Sequence, residues 1–231
     1  IKKFKQYNYR KVLDIGAGNG IASYAFAKNG YKVFALVPDE SKIVGTGAIK
    51  KIKNEADLPI KIIKGYAENI SLEDNSIDLV FARQALHHAE NLDKFNSEIY
   101  RILKKNGLYV TCRDHVINNA AQKKAFLTSH PLHHKYGGEN AYSIENYKLS
   151  FKKAGFHILE EISTLENPIN YFPMSKTDVK NIKYSLLYKN YGRYLAKLIG
   201  YIPKWDSLFN KILSKKYNKP GRLYSFILTK T

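Results

Sequence analysis

The residues from Asp14 to Gly20, Asp-Ile-Gly-Ala-Gly-Asn-Gly, place one carboxylate and three glycines directly after an apolar run. Glycine lets the backbone turn sharply and lets a ligand lie against main-chain N–H groups. The start of the helix that follows adds partial positive character at the same spot. A dinucleotide-binding turn has the spacing Gly-x-Gly-x-x-Gly. Here Gly20 stands one position early, and Asp14 precedes Gly16 by two. Taken alone, such a turn serves equally well as a tight strand-to-helix connection.

Two later runs carry groups that could move protons or hold anions. Phe81 to His88 includes Arg83, His87 and His88, and Cys112 to His115 includes Arg113. Imidazole titrates near neutrality, so His88 and His115 are candidate general bases. Arg83 and Arg113 are candidate anion clamps. Either histidine of the His87–His88 pair could instead be satisfied by a hydrogen bond in the core. Phe126 to Tyr142 reads as a long polar loop rich in His, Tyr, Gly and Asn. Loops of that length in compact domains are usually functional or disordered. His130 and His134 from this loop are expected to converge with Arg83, Arg113 and His115. No metal site is expected, because Cys112 is the one cysteine and His133 and His134 are adjacent rather than on one helical face.

These residues need elements to position them. Val12–Ile15, Tyr31–Leu36, Ile60–Ile63, Ile77–Ala82 and Leu108–Cys112 read as strands. Helical patterns at Ile21–Lys28, Ser41–Lys53 and Leu92–Leu103 separate most of them. Strands alternating with helices imply βαβ units and a parallel sheet. Ser143–Ala154 reads as a further helix, and Phe156–Ile162 and Leu223–Leu228 as the last strands. Ligands in such sheets bind at the carboxyl ends of the strands. That is where the glycine turn, Arg83 to His88 and Arg113 to His115 all fall.

With this strand order behind it, the acid-x-Gly-x-Gly-x-Gly run resembles the first motif of class I S-adenosylmethionine-dependent methyltransferases. The resemblance runs from about Arg10 to Cys112 and again at the final strand. It implies a Rossmann-like α/β fold: a seven-stranded, mostly parallel sheet, last strand antiparallel, helices on both faces and a helical insert before the last strand. It also implies S-adenosylmethionine as cofactor. Asp14 would orient its amino group through a backbone amide or water, and Gly16, Ala17 and Gly18 would form its floor. The acid that holds the ribose is expected where Val37 stands, and Val37 cannot accept a hydrogen bond. Asp39 is the nearest substitute, unless it caps the following helix. Ala67 and Glu68 would lie by the adenine, although Tyr66 stands where relatives often have an acid. Arg83 would face the cofactor carboxylate or an anionic acceptor. No Asn/Asp-Pro-Pro-aromatic loop follows the fourth strand, which argues against a nucleic-acid base or a glutamine amide as acceptor.

Arg113 to Val116, taken with the His130 to Tyr142 run, looks like a subgroup of methyltransferases found with bacterial surface-polysaccharide genes. That resemblance implies O-methylation of a sugar, phosphate-type or nucleotide-activated precursor, with His130, His134, Tyr136, Asn140 and Tyr142 contacting the acceptor. Methyl transfer from a sulfonium is an in-line displacement, so the acceptor oxygen must be held in line with the methyl group. A hydroxyl also needs a base, whereas an ionised phosphoryl or phosphoramidate oxygen needs only cationic positioning.

Composition bounds these readings. The 231 residues are 44% hydrophobic, enough for a core and one domain, 1–231. One cysteine excludes an internal disulfide framework and fits a reducing cytoplasm. No apolar stretch reaches the ~20 residues of a membrane span, and no signal peptide opens the sequence. The net charge of +18 favours anionic partners without choosing among them. Residues 167–220 form a basic helical insert read as a lid, with Tyr184, Tyr188, Tyr191, Leu195, Leu198 and Ile202 as its buried stripe. A weak contact with an anionic membrane surface is the functional alternative for that insert. Nucleic acid is disfavoured as a partner, because the aromatics fit the buried stripe. The competing readings are an RNA methyltransferase, motivated by the charge, and a cofactor-fold binding module without catalysis, motivated by Val37 and Tyr66.

Overall fold

A computed structural model describes residues 6–136 and 138–231, with Leu132, Lys135 and Tyr136 described by their backbone alone. The strands β1 (Lys11–Ile15), β2 (Lys32–Val37), β3 (Ile60–Lys64), β4 (Ile77–Arg83), β5 (Leu103–Val116), β6 (Phe156–Ile162) and β7 (Arg222–Lys230) form one sheet. Their order is β3-β2-β1-β4-β5-β7-β6. Strands β1 to β5 pair in parallel, and β7 runs antiparallel between β5 and β6. This is the expected seven-stranded Rossmann-like sheet. The chain winds outward from β1 in one direction to β3, then returns to β4 beside β1. That reversal opens a crevice at the carboxyl ends of β1 and β4.

Helices α1 (Ile21–Lys28) and α2 (Thr46–Ala56) cover one face of the sheet, where Phe26, Ala27 and Ile49 pack with Val33 and Leu79. Helices α3 (Leu92–Ile102) and α6 (Ile144–Ala154) cover the other, where Phe95, Ile99, Tyr147 and Phe151 meet Leu13, Val80 and Phe226. Each fully buried leucine or isoleucine contributes about 2 kcal/mol. The mostly apolar character of β1 and β4 follows from burial on both faces. Helix α3 begins where the Asn91 side chain accepts from the Lys94 N–H, and α6 where Ser143 accepts from Asn146.

The expected elements differ from the observed ones in three places. The helix expected from Ser41 starts only at Thr46, with Gly45 as its N-cap. Residues 41–45 instead fold back, and the Gly45 N–H donates to the Gly18 carbonyl at 2.9 Å. The run from Phe126 to Tyr142 is not one loop. It completes α4 (Ala120–Ser129) and contains the short α5 (Pro131–Tyr136). Third, β5 continues to Val116, carrying Arg113, Asp114 and His115 within a strand.

The insert comprises α7 (Pro168–Tyr171), α8 (Lys176–Gly200), α9 (Trp205–Leu208) and α10 (Asn210–Lys216). Its core is Leu187, Ala196, Trp205 and Leu213. The stripe expected to be buried is exposed instead: Tyr184, Tyr188, Tyr191, Leu195, Leu198 and Ile202 face outward. Gly192 breaks α8 at φ 82°, so the helical phase read across it from sequence is lost. Among the described residues no helix is long and apolar enough to cross a membrane.

Candidate active site

The glycine turn closes the carboxyl end of β1. Gly16, Gly18 and Gly20 hold φ of 64°, 52° and 83°, a left-handed region that costs other residues roughly 1–2 kcal/mol each. A Cβ on Gly16 would come 2.8 Å from the Ala85 Cβ, so the loop after β4 lies tight against the turn. A Cβ on Gly18 would meet nothing nearer than the Gly16 carbonyl at 3.8 Å. The protein thus leaves open space over Gly18, where a ligand can approach bare backbone. Ala17 is buried and its N–H donates to the Leu36 carbonyl, which pins the turn to β2. Behind the turn, Asp14 is buried and accepts from the Ser23 hydroxyl at 2.6 Å. Burial raises its proton affinity, only partly offset by Ser23, to a pKa of about 6.

Beside the turn, Val37 is buried with an apolar side chain, and its carbonyl accepts from the Gly65 N–H at 3.3 Å. Asp39 does not cap α2. Its Oδ1 accepts from the Ser41 N–H at 2.7 Å, which leaves an exposed carboxylate at the rim beyond β2. Ala67 is buried after β3, and Glu68 Oε1 accepts from the Glu90 N–H at 3.1 Å. Tyr66 is exposed. Gly18, Asp39 and Ala67 thus follow β1, β2 and β3, which lie side by side in the sheet.

At the ends of β4 and β5 the backbone is strained. Gln84 and Arg113 both hold positive φ, 51° and 64°. The β5–β7 pairing shifts register between Thr111 and Asp114, a bulge that re-aims the following side chains. Asp114 is thereby buried, and its Oδ1 accepts from both the N–H and the Nδ1–H of His87, at 3.2 and 3.1 Å. His87, 1% exposed, is the core histidine of its pair. The His115 ring lies 4.7 Å from His87 and 5.4 Å from His130. The His88 ring lies 4.2 Å from His87 and is half-exposed. Glu139, with 7% of its side chain exposed, reaches into the group, its Oε2 3.4 Å from His87 Nε2 and 4.0 Å from His88 Nε2.

The tautomers follow from the partners. A carbonyl oxygen can only accept, so His88 Nδ1 donates to Gly138 O at 3.0 Å and His115 Nδ1 to Gly221 O at 2.9 Å. Both imidazoles therefore keep a lone pair on Nε2 when neutral. Burial holds the His88 proton affinity below the ordinary value and brings His115 down to about 4. Burial works the same way on His87, but Asp114 and Glu139 outweigh it and raise its proton affinity. The surrounding imidazoles in turn overcome the burial of Glu139 and lower it to about 2.

The expected convergence is thus partly realised. His115 and His130 meet, with His88 and His87. His134 does not join them, because its Nε2 pairs with the Thr128 carbonyl on the outer face of α4. Arg113 turns away to the insert, its Nη1 donating to Ile169 O at 2.7 Å and its Nη2 to Phe172 O at 3.2 Å. It anchors α7 and is not free to clamp an anion. Arg83 remains exposed at the end of β4, with its charge close to Arg113. Tyr142 donates its hydroxyl to the Ala89 carbonyl and supports the loop after β4. Asn140 uses its carbonyl oxygen on the Ala141 N–H. The Tyr136 side chain lies outside the described residues. Asp114 and Glu139 were missed as members. Their type and position between histidines were visible, but which way they point depends on the bulge and on the short helices.

The fold and the first half of the chain are similar to known proteins. Residues 13–111 match the family model of a methyltransferase domain. Over 226 residues the chain is 26% identical to the sterol 24-C-methyltransferase of Pneumocystis carinii, covering 87% of this chain and 58% of that protein. It is 30% identical over 117 residues to the ubiquinone biosynthesis O-methyltransferase of Rickettsia typhi, covering 51% and 44%. The chain thus spans about half the length of the curated relatives it matches. The structure of phosphoethanolamine N-methyltransferase 2 of Haemonchus contortus in complex with S-adenosyl-L-methionine superposes with a TM-score of 0.62 at 19% identity, over 98% of this chain and 51% of that one. YcgJ of Bacillus subtilis superposes with a TM-score of 0.61 at 15% identity, over 99% and 96%. Residues 13–111 are thus similar to a methyltransferase domain, and the fold is one shared with a solved methyltransferase that binds S-adenosyl-L-methionine.

Proposed function

We propose that the protein is an O-methyltransferase acting on a small anionic, sugar or nucleotide-activated acceptor in the cytoplasm, within bacterial capsule or surface-polysaccharide biosynthesis. The observation that carries the reading is the imidazole group at the ends of β4 and β5, next to the loop that touches Gly16. The relatives' names span carbon, oxygen and nitrogen acceptors, so the acceptor atom must be argued from this chain's own residues. A hydroxyl acceptor must lose its proton as it attacks, and neutral imidazoles at this sheet edge support that reading. The surface-polysaccharide assignment rests on the resemblance of the Arg113–Val116 and His130–Tyr142 runs.

When bound, S-adenosylmethionine supplies a methyl group made electrophilic by the sulfonium. In this reading Gly16, Ala17 and Gly18 form its floor, with Asp14 behind them. Asp39 faces the ribose hydroxyls, and Ala67 and Glu68 flank the adenine. The acceptor oxygen would take that methyl group, with the sulfur keeping the electron pair of the broken bond. Its proton passes to an imidazole Nε2. His115 in that role is supported by the Gly221 carbonyl, which fixes its tautomer, and by Tyr147, which donates to its backbone carbonyl at 2.9 Å. Arg83 holds an anionic group of the acceptor. His115→Ala is expected to lower kcat by ~10² or more and to leave cofactor affinity within about twofold. Steady-state kinetics with nucleotide-activated sugars, and calorimetry with the cofactor, check this. An unchanged kcat would remove His115 as the base.

The insert, 167–220, serves as the cover of the acceptor site in this reading, held there by the Arg113–Ile169 and Ser225–Asn170 hydrogen bonds. Its outer surface supports contact with an anionic membrane. From Lys176 to Lys219, Lys and Arg outnumber Asp and Glu eleven to two. Between these cations Tyr188, Tyr194, Leu198, Tyr201 and Leu208 are each more than half exposed. Basic heads flanking aromatic and aliphatic side chains suit an anionic lipid interface. Co-sedimentation with vesicles containing phosphatidylglycerol is expected, with loss in pure phosphatidylcholine and at high salt. Equal binding to both vesicle types would refute it. Displacement by RNA at equal charge would favour stacked bases as the ligand, an option the exposure of the tyrosines reopens.

A further inference from the structure

We propose that Glu139, His87 and His88 form a binding site for one divalent first-row transition-metal ion, of the zinc or cobalt class. The ion's role in turnover rests on the methyl-transfer reading; its binding does not. Two ligand atoms about 2.1 Å from one ion lie roughly 3–4.2 Å apart. The Glu139 Oε2 stands 3.4 Å from His87 Nε2 and 4.0 Å from His88 Nε2. The three ligand atoms lie within 4.8 Å of one another, so small side-chain adjustments bring all three onto a common centre.

The groups behind the ligands carry the argument further. A metal-binding imidazole presents one nitrogen to the ion and donates its other N–H to a carboxylate or carbonyl, which fixes the ring. His87 does this through Asp114 at 3.1 Å, and His88 through the Gly138 carbonyl at 3.0 Å. Both rings therefore aim Nε2 at the same carboxylate. Charge balance points the same way. Asp114 and Glu139 bring two buried carboxylates together, and neither pairs with a Lys or Arg among the described residues. Asp114 Oδ2, Glu139 Oε2 and His130 Nδ1 are buried without a hydrogen-bond partner. A buried negative cluster with unsatisfied oxygens favours a cation.

A two-histidine, one-carboxylate set leaves coordination positions open, and imidazole with carboxylate suits zinc, cobalt or iron(II). His88 is the half-exposed member, so the open side faces the acceptor crevice rather than the core. An acceptor hydroxyl or phosphoryl oxygen bound there would be held in place and its proton loosened. His115 then remains free to take that proton. The sequence expectation of no metal rested on the lone cysteine and the His133–His134 pair; this proposal rests on other histidines, His87 and His88.

The test uses the full chain freed of metal with EDTA, then titrated with zinc(II) and cobalt(II) by calorimetry and visible absorbance. One equivalent is expected at micromolar affinity or tighter, with cobalt d–d bands. Glu139→Gln should weaken binding at least ~10-fold, and so should Asp114→Asn from behind His87. Since both are buried, His88→Asn is the variant chosen to keep the fold, with its melting temperature checked beside the wild type. Absence of uptake by the wild type overturns the site. So does uptake that survives both Glu139→Gln and His88→Asn, which would place the ion elsewhere on the protein. Cofactor affinity is measured on the same EDTA-treated sample. Its loss with metal uptake intact would overturn the methyltransferase reading and leave this site standing.

Discussion

Gly18→Val is expected to weaken S-adenosylmethionine binding by at least ~10²-fold, equivalent to about 3 kcal/mol. The effect comes from space rather than from the fold. A Cβ at Gly18 meets no protein atom closer than 3.8 Å, so the branched side chain has room, but only in the volume above the turn. That volume is where the cofactor's methionine end would lie. The φ of 52° adds roughly 1–2 kcal/mol of backbone strain, enough to lower the melting temperature by some degrees without unfolding the domain. Calorimetry with the cofactor and thermal unfolding, run together, separate the two effects. Unchanged affinity would refute the turn as the binding floor. Gly16→Val is a poorer choice, since collision with Ala85 at 2.8 Å would confuse folding with binding.

The second large effect is a dependence of stability on pH set by Asp14. Its folded pKa is raised from 3.8 to about 6, chiefly by burial. A carboxyl group raised in this way contributes stability that is fully present below its unfolded value and is lost as pH rises through the folded one. The loss therefore runs from about pH 4 to about pH 6 and approaches roughly 3 kcal/mol at neutral pH. Asp14→Asn keeps the shape and the oxygen that accepts from Ser23 but cannot ionise. Between pH 5 and pH 7.5 the wild type should lose about 1 kcal/mol more stability in urea than the variant. Parallel pH profiles would show that Asp14 titrates normally.

Much of the fold was legible because it depends on local pattern. Strands β1 and β4 are mostly apolar because both faces are covered, and α1 and β6 were bounded by their own residues. The glycine turn was legible for the same reason, since positive φ at three closely spaced positions selects glycine whatever surrounds it. Errors arose where a contact distant in sequence decided the outcome. Ser41 continues a helical pattern, but the Gly45–Gly18 hydrogen bond between loops delays the helix to Thr46. The stripe from Tyr184 to Ile202 has helical spacing, but Gly192 resets the phase and Leu187 and Ala196 take the interior.

The site divides along the same line. The kinds of chemistry available, a glycine floor for a cofactor and imidazoles at a sheet edge, were set by residue type and position along the chain. Which imidazoles meet was decided by tertiary structure. The bulge at Cys112 and Arg113 turns Asp114 inward to His87. Helix α7 takes the Arg113 guanidinium, and α5 carries His134 away while Glu139 comes in. Backbone preference is a property of each residue and its neighbours and can be read one residue at a time. A side chain's direction is settled by the partner that satisfies its charge, and that partner lies tens of residues away along the chain.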